Sequence, residues 1–129
     1  MFLKPLLLFI LILSLTSCTL APQENRYERV ALPAKESTGP VAELHRKAMS
    51  ALAQDNSKEA IDLLQRAIKI QPRNPYSWHY LALSYWQAEE YGKCLAMVDR
   101  SRSYSAALDD IEKLNQSLKA QCGKRMLNG

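Results

Sequence analysis

Trp78-x-x-Leu81-Ala82-x-x-Tyr85 is the stretch on which the fold of this chain turns, and its meaning comes from what lies one period away. Sliding the sequence by 34 residues sets Leu44 against Trp78, His45 against His79, Ala48 against Ala82, Met49 against Leu83 and Leu52 against Trp86. The same shift pairs Ala60 with Cys94, Ile61 with Leu95, Leu63 with Met97, Leu64 with Val98 and Ile70 with Tyr104. Small residues meet small ones and bulky apolar residues meet bulky ones. Such a period marks an array of identical supersecondary units.

The pattern resembles the tetratricopeptide (TPR) repeat. The second copy carries the W-x₂-L-G-x₂-Y half with Ala82 in place of Gly, and the first supplies Ala60-x-x-x-Leu64-x-x-Ala67 followed by Pro72. Each copy is incomplete: Lys47 and Ala51 stand for the Leu and Tyr of the first, and Cys94, Ser101 and Ala106 for the Ala, Ala and Pro of the second. The resemblance implies an all-α fold, a short right-handed α-solenoid of two TPR helix hairpins and a C-terminal capping helix.

Local chemistry places helices near 41–54, 57–71, 75–88, 91–103 and 106–122. Pro40 and Pro75 suit first helical positions, with Gly39 and Asn74 as caps. Asn56-x-x-Glu59 resembles a capping box. Ser105, Asp109 and Asp110 would open the fifth helix and Gly123 would close it. Leu108, Ile111, Leu114 and Leu118 are its expected apolar face, covering the open end of the array.

The start of the chain reads as an address. One Lys precedes the apolar run Leu6 to Leu13, which has signal-peptide length and is too short to span a bilayer of about 20 residues. Leu15-Thr16-Ser17-Cys18 resembles the bacterial lipobox. That resemblance implies removal of residues 1–17 as a lipoprotein signal peptide and acylation of Cys18, and Thr19 after the cysteine favours the periplasmic face of the outer membrane. Residues 18–40 then form a lipidated, Pro-punctuated tether with an r.m.s. span of roughly 26 Å, residues 41–123 the TPR domain with its cap, and 124–129 a tail. Two readings of the remaining cysteines stay open. Cys94 and Cys122 can bond across two antiparallel helices, or Cys94 is a small core residue.

Composition narrows the function. The 129 residues carry 17 Lys+Arg against 13 Asp+Glu, a surplus too small and scattered for nucleic-acid binding. No P-loop, dinucleotide fingerprint, HExxH or GxSxG occurs, so no enzyme activity and no cofactor are expected. His45 and His79 recur at one repeat position but lack further ligands, so no metal is expected. Residues three and four apart on the first helix of each repeat give a concave partner-binding face of His45, Met49, Tyr76, His79, Leu83 and Trp86. The expectation is a membrane-anchored TPR adaptor that binds an envelope protein or peptide through this face, as an assembly accessory of a pilus, secretion or cell-wall complex. The alternative is a structural subunit whose incomplete array completes its core as a homo-oligomer or inside a larger envelope complex.

Overall fold

A computed structural model describes residues 38–105 and 108–128. The expected signal segment, Cys18 and most of the expected tether lie outside them. Five α-helices follow one another: α1 (Pro40–Ala53), α2 (Ser57–Ile70), α3 (Pro75–Gln87), α4 (Tyr91–Tyr104) and α5 (Asp109–Asn128). There is no strand among the described residues. Each helix packs on the next, α3 also touches α1, and α5 also touches α3. The fold is all-α, built as consecutive hairpins.

Local chemistry fixes the boundaries. Pro40 and Pro75 occupy first-turn positions where a missing N–H costs nothing. The Asn74 side chain accepts from the Tyr76 N–H at 3.0 Å, and the Asn56 side chain from the Glu59 N–H at 3.2 Å. Asn56 Nδ2 also donates to Glu59 Oε2 at 2.8 Å, so the box closes side chain to side chain. Gly39, at φ 103, enters α1 without a side-chain cap.

The 34-residue period is present in the backbone itself. Asp55 and Glu89 both take positive φ, 57° and 60°, at the same place in the two hairpin turns. The turns close alike: the Asn56 N–H donates to the Ala51 carbonyl at 2.9 Å and the Glu90 N–H to the Tyr85 carbonyl at 2.9 Å. Helices α2 and α4 bury equivalent residues, Ala60, Leu64 and Ala67 in one and Cys94, Val98 and Ser101 in the other.

The fifth helix departs from expectation at both ends and in its face. Ser105 is the C-cap residue of α4, and α5 starts at Asp109, 34 residues after the start of α3. Gly123 does not stop it. The helix runs on to Asn128, because Gly123 is not among the positive-φ residues and Arg125 suits the negative end of the helix dipole. The residues expected to be a tail are thus largely helical. Leu108 and Leu114 are exposed, and the buried face is Ile111, Asn115, Leu118 and Cys122. Two attachments set that rotation: the hydrogen bonds of Asn115 and a disulfide at Cys122.

Candidate functional site

The first helices of the hairpins, α1 and α3, together with α5 stand in one register, and each has a backward and a forward face. The backward face is Glu43, Lys47 and Ser50 on α1, Ser77, Leu81 and Ser84 on α3, and Ile111, Asn115 and Leu118 on α5. It is exposed on α1, which no helix precedes among the described residues, and buried on the other two. The forward face is Ala42, His45, Met49 and Leu52, then Tyr76, His79, Leu83 and Trp86, then Asp110, Lys113, Ser117 and Ala120. Here the order reverses. The first two sets are buried or half-buried against the next helix, and the last is exposed.

This geometry corrects the expected binding face. His45 is 0% and His79 2% exposed, and both are bolts between helices rather than lining of a groove. His45 Nε2 lies 2.7 Å from Ser77 Oγ, linking α1 to α3. His79 Nδ1 lies 2.8 Å from Asn115 Oδ1, linking α3 to α5. Asn115 Nδ2 donates onward to Ser101 Oγ at 2.8 Å, and Ser101 Oγ donates to the Pro75 carbonyl at 2.8 Å. Burial pushes the His79 imidazole below its ordinary value of 6.5, and the Asn115 hydrogen bond opposes that only in part. Met49, Leu83 and Trp86 are half-buried and pack against the core. The stripe that would line a wider solenoid is consumed by contact between neighbouring helices.

Cys94 and Cys122 form a disulfide, Cα to Cα 6.3 Å, within an apolar cluster completed by Ala82, Val98 and Leu118. It staples the last helix to α4.

The recess with the best binding character lies elsewhere, at the end where the described chain begins. A cleft of about 680 Å³ opens between the first turns of α1 and α3, the 71–74 loop and the approach to α5. Val41, Ala42, Pro72, Pro75, Tyr76 and Leu108 give it apolar walls, and Thr38, Gln71, Arg73 and Asn74 supply the polar lining. The size falls within the usual ligand-pocket range of about 300–1,000 Å³. The Tyr76 hydroxyl donates to Asp110 Oδ2 at 3.1 Å, which holds the ring against the wall. Asn74 Nδ2 donates to Gln71 Oε1 at 3.1 Å and shapes the loop. Arg73 lies over the Tyr104 ring, 5.9 Å from its centroid.

Of the six residues expected to bind a partner, Tyr76 lines this cleft. Sequence reasoning missed Val41, Pro72, Arg73 and Leu108, which come from three separate segments; the Pro72-Arg73-Asn74-Pro75 loop was the one local signal. The titratable side chains in the lining are Arg73 and Tyr76. Among the described residues no group of three or more His, Cys, Asp or Glu is placed to hold a metal ion. No helix among the described residues is long and apolar enough to cross a membrane. Compared with family models, curated proteins and solved structures, the chain matches none.

Proposed function

We propose that this chain is a lipid-anchored adaptor of the TPR kind, a short right-handed solenoid held by Cys18 on the periplasmic face of the outer membrane. It captures a segment of an envelope protein, and the cleft around Val41, Pro72, Tyr76 and Leu108 takes that segment's apolar anchor. One observation carries the reading: a 34-residue repeat in backbone and burial encloses an apolar cleft whose lining offers hydrogen bonds but no reactive constellation. A subunit that completes its core on another chain has less support. The outward face of α1 is Glu43, Lys47 and Ser50 and that of α5 is Asp110, Lys113 and Ser117, so stacking at either end would bury charge.

The test is a photo-crosslinking residue at position 108 in cells making the full chain. A single envelope protein should be trapped, and Ala42→Phe, which fills the cleft, should abolish the adduct while the helical circular dichroism persists. Adducts that survive the filled cleft would refute the site. Fatty-acid labelling that leaves Cys18 bare would refute the anchor.

A further inference from the structure

The helix ends around the cleft differ in charge from one side of the array to the other. On the α1 and α5 side, Glu43 pairs with Arg46 and Lys47, Glu112 pairs with Arg102, and Asp109 and Asp110 occupy the first turn of α5. On the α2 and α4 side, cations and rings alternate. Lys69 and Ile70 end α2, Arg73 follows in the loop, and Arg100 and Tyr104 lie one turn apart at the end of α4. Arg73 sits 5.9 Å from the Tyr104 ring centroid and Arg100 5.6 Å from that of Trp78. The Trp78 indole N–H donates to the Pro72 carbonyl at 2.8 Å, fixing the ring in the patch. Ile70, between Lys69 and Arg73 in the sequence, is 51% exposed.

We propose that this patch, Lys69, Ile70, Arg73, Trp78, Arg100 and Tyr104, docks on an anionic phospholipid surface. Half-exposed Trp and Tyr rings with a protruding aliphatic residue suit the headgroup boundary, and Arg and Lys alongside suit its negative charge. The patch adjoins the cleft, since Arg73 belongs to both. The inference deepens the adaptor reading and rests on its lipid anchor for orientation. Docked in this way, the cleft opens at the lipid surface, and the segment it captures is one that emerges from the membrane.

The two tryptophans of the chain serve as probes, because Trp78 and Trp86 are about 12 Å apart along α3. The mature protein is added to vesicles of phosphatidylcholine, alone or mixed with phosphatidylglycerol, carrying a nitroxide on the headgroup. With Trp86→Phe, the Trp78 fluorescence should be quenched on the mixed vesicles and not on the neutral ones. Salt should relieve the quenching, and Arg73→Gln and Arg100→Gln should each weaken docking about fivefold. With Trp78→Phe, Trp86 should stay bright. Unsubstituted protein gives an independent reading, as hydrogen exchange at residues 69–74 and 100–104 should slow on mixed vesicles alone. Equal quenching of Trp78 on both vesicle types, equal quenching of the two tryptophans, or unchanged exchange would overturn the docking surface. Cosedimentation separates the two ideas: capture by mixed vesicles alone keeps the surface and removes the anchor, capture by both with Trp78 unquenched does the reverse, and capture by neither removes both.

Discussion

Opening the Cys94–Cys122 bond should cost this domain a large share of its stability. The cysteines are 28 residues apart in sequence, and closing such a loop removes roughly 12 cal/mol/K from the unfolded chain, about 3.6 kcal/mol at 25 °C. A domain of this size has on the order of 5–14 kcal/mol in total. The effect is best measured by urea unfolding of one sequence with and without a thiol reductant, which leaves the packing residues unchanged. With a urea slope of about 1–1.5 kcal/mol/M, the midpoint should fall by about 2–4 M on reduction. Loss should begin in α5, whose buried face is only Ile111, Asn115, Leu118 and Cys122, so its amides should lose exchange protection before those of α1–α3. A midpoint shift below about 1 M would mean that packing and the Asn115 hydrogen bonds hold the last helix unaided, and the staple argument would fail.

Four further outcomes follow from particular residues. His79 titrates below 6.5 when folded, so the unfolded chain binds the extra proton, and stability should fall as pH drops below about 6.5, by up to about 1.4 kcal/mol per pH unit. His79→Gln should flatten that slope below about pH 6.5 in a denaturation series; an unchanged slope would show that another group carries it. Gly123→Ala should raise stability by about 0.5–1 kcal/mol, since an added Cβ meets nothing within 4 Å, whereas a loss on calorimetry would mean that the helix stops there. Glu89→Gly should relieve the left-handed backbone at φ 60° and stabilise by about 1 kcal/mol in thermal melts. Asp55→Gly should gain less, because Asp55 Oδ1 also accepts from Gln87 Nε2 at 2.8 Å.

The starts of three of the four leading helices rest on strong local signals, and the fourth follows from the 34-residue period. Pro40, Pro75 and the Asn56-x-x-Glu59 box act within one turn, and the observed boundaries fall within a residue or two of those expected. The fifth helix was harder, since Ser105 can end one helix as readily as begin another, and Gly123 tolerates helical dihedrals when nothing demands a turn. The histidines were misread for a different reason. Ala42, His45, Met49 and Leu52 form one stripe whether they line a groove or meet the next helix, and only the separation of neighbouring helices decides between the two. A clue was present: Ser77, Ser101 and Asn115 are polar residues on otherwise apolar faces, where buried polar groups need partners. The cleft was beyond reach, because Val41, Pro72 and Leu108 meet only once the hairpins are stacked.

The same bolts explain why the array has one register. His45 and His79 hold the same repeat position, and each reaches forward to a polar group on the next helix but one. Sliding α3 by one turn along α1 would part His45 from Ser77, and sliding α5 along α3 would part His79 from Asn115 and Asn115 from Ser101. Each buried polar group left without a partner costs about 1–3 kcal/mol. Packing among alanines and leucines alone discriminates such slips weakly, because one methyl-lined groove resembles the next. The forward reach also has to end somewhere. At the position that is His45 on α1 and His79 on α3, α5 carries the exposed Lys113, and the backward face of α1 carries Glu43 and Lys47. A further copy at either end would therefore bury charge, which sets the described helices α1 and α5 as the two ends of the stack.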